Sequence, residues 1–119
     1  MKKITRGTSK RFEVYITDLE GNPQYPDTDT CFVTLIKQGE YGYDSPKGPY
    51  ACSERILGYM YADVALSASM TLGNWVAHFN WLRESDEDAA YFDFIVVDKI
   101  RPYISRYGPG IRPNVEVVG

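Results

Sequence analysis

The 119-residue sequence predicts a single all-β domain, an antiparallel sandwich or barrel followed by an extended C-terminal arm. Three observations carry this reading. Apolar residues recur with period two over short segments, as in strands with one buried face. Gly, Pro, Asn and Asp cluster between those segments, where turns need unusual backbone angles. The helical period of 3.6 is hard to find anywhere. Hydrophobic residues make up 44% and charged residues 24%, enough apolar material for one core under a charged surface.

The elements follow in chain order. Residues 1–9 carry Lys2, Lys3 and Arg6 and are expected as a basic, solvated N-terminal arm. Phe12, Val14 and Ile16 alternate with Glu13, Tyr15 and Thr17, a half-buried strand. Asp18 to Pro23 reads as a turn, with Gly21 and Asn22 tolerating positive φ. Cys31 to Ile36 is a second strand, with Val33 and Leu35 on one face. Gln38 to Gly48 is a polar loop. Arg55 to Tyr61 is a further strand that Gly58 weakens, and Val64 to Met70 alternates clearly. Trp75, Ala77, Phe79 and Trp81 share one face of the next strand. Arg83 to Ala89 is a charged loop, and Tyr91 to Val97 closes the domain at residue 98.

The two tryptophans pose a choice between a ligand platform and a core. The "TLGN" before Trp75 can form a tight hairpin, a four-residue loop or a corner between two sheets. All three geometries turn Trp75, Phe79 and Trp81 inward. Burying rings of this size removes roughly 150–250 Å² each from water, a contribution that a marginally stable domain needs. The expected core is Phe12, Val14, Val33, Leu66, Trp75, Phe79, Trp81 and Phe94. His78 falls on the opposite face with Asn80.

Residues 99–119 differ in kind. Pro102, Pro109 and Pro113 cannot sit in a central strand, so the segment is expected to be extended. The residues expected to serve as an assembly arm are Pro102, Tyr103, Tyr107, Ile111, Val115, Val117 and Val118; the last three can add a strand to a neighbouring sheet edge.

"FEVYITDLEGNPQ", "YADVALSASMTLGNWVAHFNW" and "AYFDFIVVD" together resemble the small immunoglobulin-like modules of tailed-bacteriophage virions. The match rests on Asp18, Gly21 and Pro23; on Leu66, Gly73, Trp75 and Trp81; and on Phe94 with Val96. It spans roughly residues 10–98. The resemblance implies an immunoglobulin-like β-sandwich and a virion structural protein: a neck or head–tail connector, a tail protein or a capsid decoration protein. Its expected partners are other virion proteins, including copies of itself as a homo-oligomer, and its expected place is the virion after synthesis in the host cytoplasm.

The remaining motifs exclude more than they offer. A net charge of −3 argues against nucleic acid as partner. No run of residues has the length and apolarity of a membrane span, so no membrane partner is expected. The start lacks the apolar run of a signal peptide, which points to a reducing cytoplasm and to Cys31 and Cys52 as free thiols. One histidine and no paired CxxC unit argue against a metal site, and the acidic "DLEGN" lacks the spacing of a calcium loop. No nucleophile signature or phosphate loop is present. The expectation is a protein that is not an enzyme and holds no cofactor. The alternative is a glycan- or host-surface-binding module, with Tyr41, Tyr43 and Tyr50 as the candidate binding loop, because exposed aromatic rings stack on sugars and anchor interfaces.

Overall fold

The computed structural model describes residues 2–39 and 42–98. These residues form eight strands: β1 Lys2–Thr5, β2 Ser9–Tyr15, β3 Phe32–Lys37, β4 Lys47–Ala51, β5 Ser53–Ile56, β6 Tyr59–Ala65, β7 Gly73–Arg83 and β8 Asp86–Val97. They build two sheets. One has the order β1-β8-β7-β3-β4 and the other β2-β6-β5. All pairings are antiparallel except β1 on β8, which is parallel.

The core lies between the sheets, and the period-two pattern shows why. From the larger sheet, Val33, Leu35, Trp75, Ala77, Phe79, Trp81, Phe94 and Val96 point inward and are buried. From the smaller sheet come Phe12, Met60, Ala62 and Val64, and Leu66 follows directly after β6. Val14 is half-buried and packs against this cluster. Trp75 is 1% exposed and Phe94 0%, so each ring contributes several kcal/mol of apolar burial before entropy is subtracted.

The connection from β6 to β7 is the corner between sheets, not a hairpin, since the two strands belong to different sheets. The strand expected over Val64–Met70 ends at Ala65. Beyond it, Ser67 closes a local turn: its Oγ accepts the Ser69 N–H at 3.1 Å, and its carbonyl accepts the Met70 N–H at 3.2 Å. Met70 still reaches the core from this turn.

Four further segments depart from expectation for identifiable reasons. Residues 2–5 form β1 and are not a solvated arm. Ile4 is buried beside β8, while Lys2 and Lys3 stay exposed. Lys47–Ala51, partly assigned to a loop, is β4; its Gly48-Pro49 pair is tolerated because β4 is an edge strand. Gly58 ends a strand: β5 and β6 form a hairpin, and Gly58 lies between them at φ 86°. The charged loop at 83–89 shrinks to a two-residue turn, Glu84-Ser85, because Arg83 already pairs with Asp86.

Candidate functional site

The structure distributes chemistry over faces and edges, so each is built from its strands. The outer face of the smaller sheet is a ladder of charges and rings. Arg11 and Glu13 alternate on β2 and point outward. The Arg11 guanidinium grips both oxygens of Asp63 on β6, at 2.8 and 3.0 Å, and lies 4.0 Å over the Tyr61 ring. Arg55 on β5 grips Glu13 across the sheet at 2.7 and 3.1 Å and lies 4.8 Å from the Tyr59 ring centre. Tyr59 stacks on Tyr15 at 4.3 Å. These bidentate pairs hold Glu13 and Asp63 below the ordinary carboxylate range, chiefly through the hydrogen bonds from Arg55 and Arg11.

The outer face of the larger sheet centres on His78. Its ring stacks on Tyr91 of β8 at 4.6 Å with planes 3° apart. Asn80 and Glu87 flank a shallow concavity of about 480 Å³ beside it. His78 is thus half-covered by a ring. Trp81 also borders the concavity, but its Nε1 is buried and has no partner among the described residues. By contrast, Trp75 Nε1 donates to the Thr71 carbonyl at 2.8 Å.

Two carboxylates of the acidic loops, Asp18 and Asp27, are held by backbone amides. Asp18 Oδ1 accepts the backbone N–H of Glu20 and Asn22, both at 2.9 Å, and Asn22 Nδ2 reaches Oδ2 at 3.2 Å. The Asn22 backbone bond leads in holding the Asp18 carboxyl below its usual range. Asp27 accepts the N–H of Glu84 and of Ser85. Turn chemistry therefore engages the Asp18 and Asp27 carboxylates. Among the described residues no group of three or more His, Cys, Asp or Glu could hold a metal ion.

Cys31 and Cys52 are both free. They face each other across the β3–β4 pair, where the Cys52 N–H donates to the Cys31 carbonyl at 2.9 Å. Within this pair the hydrogen bond with Cys52 lowers the pKa of the Cys31 thiol, while the Cys31 sulfur and burial hold the Cys52 thiol above its ordinary range.

The candidate binding loop is not gathered on one surface. Tyr43 is 86% exposed. Tyr50, on β4 opposite Val33, is half-buried against the core. Tyr41 lies outside the described residues, as do Pro102, Tyr103, Tyr107, Ile111, Val115, Val117 and Val118 of the expected arm. The ladder residues Arg11, Glu13, Arg55 and Asp63 were not singled out from sequence. For Arg11, Glu13 and Asp63 the signal was the outward half of the alternation in β2 and β6; Arg55 lies on β5, which is exposed along its length.

At one lateral side the sandwich is open. A slot of about 190 Å³ runs between β1 and β2, with Ile4, Phe12, Phe79 and Phe92 on its walls and Lys2 and Lys10 at its rim. Phe92 meets Phe12 edge-on at 6.5 Å and remains 39% exposed.

Compared with protein-family models and with curated proteins, the sequence matches none.

Proposed function

We propose that this chain is a non-enzymatic structural protein of a tailed-phage virion, an immunoglobulin-like module that assembles through its loops and terminal segments at the neck or connector, the tail or the capsid. The observation that carries the proposal is the strand order. In immunoglobulin lettering β2, β6 and β5 fall in the places of B, E and D, and β8, β7, β3 and β4 in those of G, F, C and C′. The first strand crosses to lie parallel to the last. This supports the resemblance in "TLGNWVAHFNW" and "AYFDFIVVD", where the inward residues of the central strands sit.

A rigid sandwich with side chains locked across its faces suits a part that transmits position rather than one that closes on a substrate. The polar clusters described above support the same reading, since their donors and acceptors are spent on holding turns and strand pairs. The virion position is tested by counting copies of the chain in purified particles by quantitative mass spectrometry. Hundreds of copies assign it to capsid decoration or a tail tube, and a small ring-like number to a neck, connector or baseplate. Absence from infectious particles overturns the proposal and leaves a surface-binding module. The role of the C-terminal segment is tested by deleting residues 101–119. Assembly is expected to fail while the melting transition stays near its original position.

A further inference from the structure

We infer that β2 is a docking edge for β2 of a second copy of this chain, forming a two-fold dimer whose smaller sheets join into one continuous sheet. The inference does not depend on the virion reading.

The first ground is the edge itself. β2 has a partner only on its β6 side among the described residues. Its register with β6 runs unbroken from Ser9 to Tyr15. The other edges are blunted, as sheet edges usually are. β4 carries Pro49 and a register shift, β5 is four residues long with another shift, and β1 is four residues with two lysines. β2 has seven residues and neither proline nor bulge.

The second ground is backbone phase. The Ile16 N–H donates to Gly58, and the Thr8 carbonyl accepts from Leu66. Alternation between these two points turns Lys10, Phe12 and Val14 toward β6. The N–H and C=O groups of Ser9, Arg11, Glu13 and Tyr15 therefore face the free edge. An antiparallel copy centred on Phe12 sets Arg11 opposite Glu13 of the other chain and Ser9 opposite Tyr15. Every one of these residues offers its outward backbone groups, so each pair can exchange both hydrogen bonds.

The third ground is charge. In that register both Arg11–Glu13 pairs across the axis are opposite in sign, and the same surface serves both chains, as a two-fold interface requires. The row then reads Asp63, Arg11, Glu13, Arg55 across the joint, continuing the intramolecular pairs already present. The two Phe12 residues meet at the axis beside the slots. The exposed face of Phe92 is covered, and Lys10 packs its stem opposite Val14 with its ammonium outward.

The test uses the full chain and the variants Arg11→Glu and Glu13→Arg. Sedimentation is expected to show a concentration-dependent dimer for the unmodified chain. Each variant alone sets like charges opposite each other at both pairs and is expected to weaken the dimer by at least about tenfold. An equimolar mixture sets Glu opposite Arg at both pairs and is expected to restore association as a heterodimer, read by native mass spectrometry. A second readout needs no variant. Amide exchange at Arg11, Glu13 and Tyr15 is expected to slow as protein concentration rises. A monomer at every concentration, variants that associate like the original, or a mixture of folded variants that stays monomeric would each overturn the inference. Protection of those amides that is independent of concentration would also overturn it, because the edge would then be covered from within the same chain.

Discussion

The carboxylate of Asp27 bridges two consecutive backbone amides at the tip of β7–β8, accepting the Glu84 N–H at 3.1 Å and the Ser85 N–H at 3.0 Å. Both turn residues have positive φ, 53° and 67°, and neither is Gly or Asn. Such a turn matches the twist of a hairpin but strains ordinary side chains. Asp27 offsets that strain and is itself anchored by its N–H to the Leu82 carbonyl at 2.7 Å. Asp27→Ala is expected to lower stability by about 1–2 kcal/mol. Replacing Glu84-Ser85 by Asn-Gly is expected to raise it by about 1 kcal/mol. In the Asn-Gly background Asp27→Ala should cost less, because less strain remains to be held. Urea unfolding of the four chains forms the cycle that measures this coupling.

Gly58 and Gly21 separate strain from crowding. Both have positive φ, 86° and 88°. A Cβ on Gly21 meets nothing within 4 Å, whereas one on Gly58 would lie 2.8 Å from Tyr15 Cε1 and 3.0 Å from the Ile16 carbonyl. Gly21→Ala is expected to cost about 1 kcal/mol, the conformational term alone. Gly58→Ala is expected to cost about 2–4 kcal/mol, since backbone must also move. Equal losses in chemical unfolding would show that the Gly58 turn relaxes freely.

How much was legible in the sequence depended on whether a feature was local. Trp75, Phe79 and Trp81 declared their face because alternation over one strand suffices, whichever way the chain turns before it. The choice among hairpin, loop and sheet corner was not local, since all three bury the same side chains. β1 was hidden because a single Ile4 between charges carries no period. The Glu84-Ser85 turn was hidden because its support, Asp27, lies 57 positions away. The Arg11–Asp63 and Glu13–Arg55 pairs also needed the β2–β6–β5 order before they could be seen. Tyr43 and Tyr50 looked equivalent in sequence, yet strand pairing turns Tyr50 toward the core.

Asp44 links the loop before β4 to the corner between the sheets, and this sets an acid dependence. Its Oδ1 accepts from Lys47 Nζ at 2.9 Å and its Oδ2 from the Thr71 N–H at 3.0 Å. The Lys47 bond first, then the Thr71 amide, holds the Asp44 carboxyl below its ordinary value. A folded-state pKa below the unfolded one stabilises the fold above the unfolded value, and that stability is lost as pH falls through the folded one. Asp18, Glu13 and Asp63 shift in the same direction. Melting temperature is therefore expected to drop as pH falls below about 4. Asp44→Asn should start lower at neutral pH and show a shallower acid limb in thermal melts. An unchanged limb would place the acid sensitivity at the other carboxylates.

The two tryptophans are expected to respond differently to the same substitution. Trp75→Phe removes the Nε1 bond to the Thr71 carbonyl and leaves that oxygen without its donor, next to the amide that Asp44 holds. It also leaves space in the core, where Trp75 is 1% exposed. The expected cost is about 2–3 kcal/mol. Trp81→Phe deletes a buried N–H that has no partner among the described residues. Losing an unsatisfied donor offsets part of the lost packing, so the expected cost is about 1 kcal/mol or less. Chemical unfolding of the two variants checks the order. A larger loss at Trp81 would mean that its Nε1 is bonded in the folded protein, beside the concavity next to His78, and would move attention to that face.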